Sequence, residues 1–365
     1  MSEDGRKGLF VLAAAMALAL AALIYFLFVV HAPEERQSSS TAGSQTSTAP
    51  AMRRLPVALS PPIAADEVDL CGYGRVKQDA VEDIRAKART AADSAFSRLK
   101  AKLAASRDER ESALGLYLQG STDVLVKLAS GSRDPQVYAL AFLSCGYHTD
   151  GACALLSAEQ WANIEPDNAV PWLLIASRTN NDVARYEAIY RASNAQRFDA
   201  RFPNFLGLLQ LPDIRGQATQ TRSVLADDLL AMQITLPTLP YSPFFRFCNF
   251  PSVAEASRIG VCNNLTKLFL ERDQTMIGLG VGVKLAQSAD WSPDVVNTLR
   301  ERKTAYQAAL TAAVSQETDK PRSDCEEQAA FEHWAADYAR LGDRAVAMKF
   351  IEETGSPGDA LRRRQ

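Results

Sequence analysis

An uncharged apolar run near the N-terminus, from Leu9 to Val30, constrains this chain more than any other stretch. As a helix rising about 1.5 Å per residue it would be roughly 33 Å long, enough to cross a hydrocarbon core of about 30 Å. The apolar part of a cleaved secretory signal is shorter, about 7 to 15 residues. Cleavage after Ala32 is the alternative, although Pro33 follows it directly. We therefore predict a transmembrane helix at residues 9–30.

The charges on either side of this run predict its orientation. Arg6 and Lys7 precede the run, whereas Glu34 and Glu35 follow it. Because basic flanks stay in the cytoplasm, residues 1–8 are predicted to be a cytoplasmic tail and the bulk of the chain to be exported. The Ala-rich, Arg-over-Lys composition is associated with bacteria. We therefore expect a single-pass protein of a bacterial inner membrane with its bulk in the periplasm.

Small residues inside the run bear on self-association. Ala13, Ala17 and Ala21 recur every four residues, a stripe that lets two helices pair closely. In a span this rich in alanine the same stripe also serves as plain helix filler. A homo-oligomer is therefore left open.

The rest of the chain divides by composition into three parts. Residues 31–65 are mostly Ser, Thr, Ala, Gln and Pro, which bury too little apolar surface to fold, so we predict a disordered linker. Residues 66–355 form the predicted periplasmic domain, and residues 356–365 the C-terminal tail. A net charge of −3 offers no basic footprint for nucleic acid, which we exclude as a partner.

The periplasmic domain reads as all-α. Apolar residues recur every three or four positions through residues 76–106, which predicts one long amphipathic helix. Ser106 and Glu109 are spaced as a capping box for a second helix ending near Gly120. No convincing strand alternation is found. Further predicted helix starts are Asp134-Pro135, Ser252 with Glu255, Ser292-Pro293, Ser323 with Glu326, and Asp343 after Gly342.

Helices between residues 135 and 202 come in pairs. The phrase from Glu165 to Trp172, with Pro166 inside it, resembles the junction between two tetratricopeptide repeats. Ile175, Ala176, Ala188 and Ala195 fall at later signature positions, and Tyr138, Ala154 and Ala158 fit the preceding unit. Phe142, Trp161, Ala192 and Ala200 depart from the pattern. The resemblance implies a helical-repeat array with an accessible face that binds protein.

The chain has an even number of cysteines, all after the predicted span, which suits disulfides in an oxidising compartment. Cys145 and Cys153 flank a short loop and are predicted to pair. Cys145-x2-His148-x4-Cys153 also has metal-ligand spacing, but an oxidising space disfavours thiolate ligands, and we predict no metal and no cofactor. The remaining predicted pairs are Cys248 with Cys262 and, by elimination, Cys71 with Cys325.

The most irregular segment runs from Leu236 to Pro251 and contains four prolines, which argue against helix. Its rings either contact a partner from a rigid loop or plug the end of the helical array from inside. The candidate partner-contact residues are Tyr241, Phe244, Phe245, Phe247 and Phe250.

Motifs for catalysis are few. His333 and Asp337 share a helix face, a spacing that usually marks a solvated surface pair. Glu111-Ser112 and Gly115-Leu116 superficially resemble elements of lytic transglycosylases, but in that family the elements are well separated. Gly278, Gly280 and Gly282 lack the residues of a phosphate loop and predict a close helix crossing. We assign no catalytic residue.

These features lead to three functional hypotheses. The first is a periplasmic, disulfide-stabilised helical-repeat scaffold or assembly factor that binds another protein of the cell envelope. The alternatives are an envelope hydrolase acting on peptidoglycan and a membrane-tethered ligand sensor. An enzyme requires two titratable groups that converge in a cleft, whereas a scaffold requires an exposed contact face.

Overall fold

The computed structural model describes residues 66–146, 150–249, 256–315 and 323–355. About 75% of this part of the chain is helical, so the all-α class is confirmed. The predicted transmembrane helix, the linker and the C-terminal tail lie outside the described residues. Within them, no helix is both long enough and apolar enough to span a membrane.

A short β-hairpin precedes the first helix, which corrects the prediction that the domain has no strand. Strands β1 (Glu67–Leu70) and β2 (Gly74–Lys77) pair antiparallel, with Leu70 opposite Gly74. The turn requires positive φ at Gly72 and Gly74, a conformation that glycine adopts readily. Each strand has four residues, too few to show a clear alternation in the sequence.

Three of the first four helices were predicted, one of them with a different cap, and α3 was not predicted. Helix α1 falls inside the predicted range 76–106, but helix α2 is capped by Asp108, whose carboxylate accepts from Arg110 N and Glu111 N. Ser106 instead donates its hydroxyl to Glu111 Oε2. The helices are α1 (Gln78–Ala104), α2 (Glu109–Leu118), α3 (Thr122–Gly131) and α4 (Pro135–Ser144).

The middle of the chain contains shorter helices. After a 3-10 turn (Gly151–Leu155) come α5 (Ala158–Ile164), α6 (Ala169–Arg178) and α7 (Asp182–Ser193). Helices α6 and α7 pack as a hairpin, whereas α4 and α5 are separated by the loop that holds Cys145 and Cys153. Membership of the tetratricopeptide family therefore stays a prediction.

The second half of the domain is also helical. A 3-10 turn (Leu206–Gln210) leads into α8 (Pro212–Arg215), α9 (Thr219–Ile234) and α10 (Ser242–Cys248). The chain continues through α11 (Ala256–Lys267), a π-helical turn (Leu268–Arg272), α12 (Met276–Ser288), α13 (Pro293–Ser315), α14 (Asp324–Leu341) and α15 (Asp343–Thr354).

Several predicted helix boundaries are confirmed. Asp134 caps α4, and Ser323 forms a complete capping box with Glu326 at the start of α14. Gly342, with φ of 81°, separates α14 from α15. Helix α13 begins at Pro293 as predicted. The predicted start at residues 252–255 lies outside the described residues.

The glycine-rich segment is a helix and not a phosphate loop, as predicted. Helix α12 crosses the π-helical turn so closely that a Cβ at Gly282 would lie 2.8 Å from Leu270 Cδ2. Gly278 is equally restricted, because a side chain there would overlap Asp273.

Candidate protein-interaction surface

Helix α7 divides cleanly into a buried and an exposed face. It starts at Asn181, whose side-chain oxygen accepts from Ala184 N at 3.0 Å. Ala188, Ile189 and Ala192 are buried in the core on one face. The opposite face carries Val183 and Tyr190, two turns apart, with 79% and 48% of their surface exposed. Large apolar side chains therefore point to solvent along this helix.

Aromatic and cationic groups adjoin one edge of the exposed face. The ring of Tyr186 lies 5.7 Å from the ring of Phe247, and the Arg258 guanidinium carbon lies 4.9 Å from the centre of the Phe247 ring. These residues come from α7, α10 and α11 respectively. This cluster of side chains therefore joins three helices that are separate in the sequence.

A second cation–π pair adjoins the other edge. The Arg191 guanidinium carbon lies 4.9 Å from the centre of the Trp172 ring, and Arg191 Nε donates to Glu187 Oε1 at 2.7 Å. The indole of Trp172 donates to the carbonyl oxygen of Pro166 at 3.0 Å, which orients the ring. We call the surface that runs across α7 the aromatic–arginine band. Its residues are Trp172, Val183, Tyr186, Tyr190, Arg191, Phe247 and Arg258.

The predicted partner-contact residues are only partly available. Phe244 is fully buried, because it packs against Phe269 in the core, so it is not a surface contact. Tyr241 and Phe245 are half-buried against the same core, and Phe247 is a half-buried member of the band. Phe250 lies outside the described residues. Most of these rings thus support the fold from inside, which is the second of the two interpretations made from the sequence.

The proline-rich segment is helical over residues 242–248, which corrects the prediction from its four prolines. Pro243 occupies the first turn of α10, where its missing N–H has no helical partner to lose. Pro237 and Pro240 precede the helix, so they do not interrupt it.

A disulfide holds the α10 side of the band in place. Cys248 in α10 is bonded to Cys262 in α11, with their Cα atoms 5.8 Å apart. The bond joins the helices that carry Phe247 and Arg258. It therefore limits relative movement of the Phe247 ring and the Arg258 guanidinium.

The other cysteines also pair as predicted. Cys145 is bonded to Cys153, and Cys71 is bonded to Cys325. Sulfurs joined in a disulfide cannot serve as thiolate ligands, which removes the metal interpretation of Cys145 and Cys153 in this structure. His148 lies outside the described residues, and no group of three potential metal ligands occurs within them.

The hydrogen bonds of Cys71 tie the hairpin to α14. Cys71 N donates to Asp324 Oδ2 at 2.7 Å, and Gln220 Nε2 donates to the same oxygen at 2.9 Å. The hairpin is thus fixed by a covalent bond and by hydrogen bonds at the same point.

A buried carboxylate organises the loop below Trp172. Glu165, 2% exposed, accepts from Trp161 Nε1 at 2.8 Å, from Asn168 Nδ2 at 3.3 Å and from Arg201 Nη2 at 2.6 Å. Arg197 Nη2 lies 2.8 Å from the same carboxylate. Burial acts to raise the pKa of Glu165, but the hydrogen bonds from Arg201 and Trp161 outweigh it and hold the pKa below its ordinary value. A charged Glu165 therefore stabilises the loop that precedes α6.

Charges near the band are unevenly compensated. Asp182 pairs with Arg185 and Glu187 pairs with Arg191. Arg258 makes no hydrogen bond or ion pair within the described part of the chain, and its Nε is buried without a partner. Arg246, exposed on α10, likewise forms no ion pair with a described residue. The α10–α11 end of the band is therefore positively charged.

The pair of His333 and Asp337 is a surface contact, as predicted. His333 is 77% exposed and lies 3.6 Å from Asp337, which also pairs with Arg340 and Lys349. Elsewhere, Asp228 on α9 is bound by Arg89 of α1 at 2.5 Å. Asp337 and Asp228 are thus held by basic side chains on separate helices.

One cleft, of about 570 Å³, lies between α1 and residues 211–213. Glu111 and Asp213 line it, and each is already engaged: Glu111 accepts from the Ser106 hydroxyl at 2.7 Å and Asp213 from Lys102 Nζ at 2.6 Å. The cleft is where the structure brings Glu111 together with a second carboxylate-bearing residue.

Comparisons with known proteins give no functional assignment for this chain. No protein-family model, curated protein or solved structure matches this chain. The functional argument therefore depends on the residues described above.

Sequence analysis identified Phe247 and Trp172 but missed the rest of the band. Trp172 was assigned to repeat packing, whereas Arg191 and Arg258 were not singled out. A signal was present in α7, where Val183, Tyr186 and Tyr190 recur on one helical face opposite small buried residues. The spacing of residues in α7 does not predict the contacts of that face with α10 and α11.

Proposed function

We propose that this chain is a single-span inner-membrane protein whose periplasmic helical domain, with tetratricopeptide-like hairpins at residues 135–202, is a scaffold or assembly factor that binds another cell-envelope protein. The aromatic–arginine band is the observation that carries the proposal. Tyrosine, tryptophan and arginine are the residues most enriched among those that dominate protein-binding energy. Here these residue types lie on or beside the helix that exposes Val183.

The rigidity of the band also supports binding. Trp172 is oriented by Pro166, and the α10–α11 helices are joined by Cys248 and Cys262. A surface that is already ordered loses less conformational entropy when a partner binds. Three disulfides suit an oxidising compartment, in agreement with the predicted export of the domain.

Site-specific photocrosslinking in cells tests this proposal. A photoreactive amino acid at position 183 is expected to give a discrete protein adduct that Tyr190→Asp abolishes. Position 124 is the matched control, since Val124 is also an exposed valine, 57% exposed, but lies on α3. Equal adducts at both positions, or none at position 183, would contradict binding at the band.

The cleft beside Glu111 allows a direct test of the hydrolase alternative. The purified full chain is incubated with peptidoglycan, and soluble glycan fragments are measured by chromatography. We expect no release above a buffer control. Release that Glu111→Gln abolishes would favour the hydrolase over the scaffold.

A further inference from the structure

We propose that the band binds an acidic peptide segment of its partner, in which carboxylates flank a large apolar or aromatic side chain. This inference rests on the proposed function and specifies the chemistry of the partner. It follows from the charges in the band and on the adjoining Arg246 of α10, and from the spacing of the groups in the band.

The charged residues near the band indicate the sign of the partner's charge. The two acidic residues on the exposed side of α7, Asp182 and Glu187, are neutralised by Arg185 and Arg191 at 2.5 and 2.7 Å. Arg246 and Arg258 have no carboxylate partner among the described residues. A carboxylate from outside would find two uncompensated cations and little competing negative charge.

Arg258 is prepared for such a contact. Its guanidinium carbon lies over the Phe247 ring, 4.9 Å from the ring centre, a cation–π contact that leaves the charge of the guanidinium uncompensated. Because the ring already restricts the side chain, less rotamer entropy is lost when a carboxylate binds than with a free arginine. The cation–π contact and the charge therefore act together at this point.

The apolar groups determine the rest of the segment. Val183 and Tyr190 are seven residues apart on α7, which corresponds to about 10 Å along the helix. About three residues of extended chain span that distance. A segment with one large apolar side chain between acidic residues would cover Val183 and Tyr190 while reaching Arg258.

This surface differs from a purely electrostatic one. An anionic lipid headgroup would use the arginines but would gain little from the exposed face of α7. The combination of cations with Val183 and Tyr190 favours a peptide, and lipid binding is included as an outcome of the test.

The test uses the full chain in detergent micelles and a displayed library of random 12-residue peptides. We expect enriched peptides to carry a net negative charge and at least one aromatic or large aliphatic residue. The most enriched peptide is then synthesised in two versions, one with its acidic residues intact and one in which each Asp is replaced by Asn and each Glu by Gln. We expect the amide version to bind about tenfold or more weakly.

Variants of the protein identify the cations responsible. Arg258→Glu and Arg246→Glu are each expected to weaken the acidic peptide, whereas Arg302→Glu on α13 leaves affinity within about twofold. Arg246 is exposed, so its variant tests the charge even if Arg258→Glu disturbs packing on Phe247. Far-UV circular dichroism of each variant checks the fold.

The outcomes separate this inference from the proposed function. Suppose that the enriched peptides no longer bind the Tyr190→Asp variant. If they are neutral or basic, or bind equally well as amides, the acidic partner is refuted and the scaffold is kept. No Tyr190-dependent enrichment would refute both. Binding to vesicles containing phosphatidylglycerol, with no acidic peptide enriched, would assign the surface to lipid.

Discussion

Asp273 and Gly278 are in direct contact, since the buried carboxylate of Asp273 occupies the space that a side chain at position 278 would need. Asp273 is 1% exposed, and its Oδ2 has no hydrogen-bond partner. Its Oδ1 accepts from Thr275 N at 2.8 Å and from the Thr275 hydroxyl at 2.7 Å. The start of α12 is thus built around a carboxylate with only one oxygen satisfied.

Asp273→Asn is expected to stabilise the domain at neutral pH. Burial raises the pKa of Asp273 to about 6, although Thr275 acts in the opposite direction, and Asp343 and Arg344 are the nearby charges. The folded state favours the protonated acid. The stability that protonated Asp273 gives the folded domain is therefore fully present below the unfolded pKa of 3.8 and is lost as pH rises through about 6.

Asp273→Asn removes this loss. It should therefore increase the free energy of unfolding by as much as about 3 kcal/mol at pH 7.5 and by little at pH 4. Urea unfolding at the two pH values measures the difference. Asp294→Asn on the exposed side of α13 is the control. A gain of the same size at both pH values would show that ionisation of Asp273 is not the cause.

Glu165→Gln is expected to have the opposite pH dependence. The pKa of Glu165 is lowered in the folded state, so its charge stabilises the fold above the unfolded pKa of 4.5 and the contribution disappears as pH falls below that value. Removing the charge leaves Arg197 and Arg201 facing a neutral group, with an expected loss of about 3 kcal/mol at pH 7. The loss should shrink at pH 3. Glu159→Gln, exposed on α5, the helix that Glu165 follows, should change the free energy of unfolding by less than about 0.5 kcal/mol.

The disulfides should differ in their effect on stability. Cys71–Cys325 closes a sequence separation of 254 residues and Cys145–Cys153 one of 8. The chain-entropy relation gives about 5 kcal/mol for the longer loop and about 2.5 kcal/mol for the shorter. We therefore expect the double Cys→Ala variant at 71 and 325 to lose about twice as much stability in urea unfolding. Equal losses would indicate that unfolded-state entropy is not the main contribution.

Two glycines on helices should respond oppositely to alanine. A Cβ at Gly115 would overlap the backbone of Ala104 where α2 crosses α1, so Gly115→Ala should cost about 1–3 kcal/mol. Gly260 in α11 has open space around the same position, so Gly260→Ala should gain up to about 1 kcal/mol from helix propensity. Thermal unfolding monitored at 222 nm compares the pair. Destabilisation by both substitutions would mean that the close crossing is not the reason.

The sequence by itself determined the helical class, the starts of α1, α4, α13, α14 and α15, and the three cysteine pairs. Periodicity and caps are local signals, so Asp134, Ser323 and Gly342 could be identified from their neighbours alone. The cysteine pairs could be predicted because Cys145 and Cys153 flank a short loop and Cys248 and Cys262 form a plausible second pair. Cys71 and Cys325 then remain by elimination. The start of α2 was misplaced because Ser106 and Asp108 are both good caps and lie two residues apart.

Only the tertiary structure decided which aromatic residues are exposed and what lies beside them. Phe244 and Phe247 are three residues apart in one segment, yet Phe244 is buried against Phe269 and Phe247 makes a cation–π contact with Arg258. Side-chain burial depends on which helices pack together, and packing involves residues far apart in the chain. The band brings together α6, α7, α10 and α11, a proximity that no local pattern encodes.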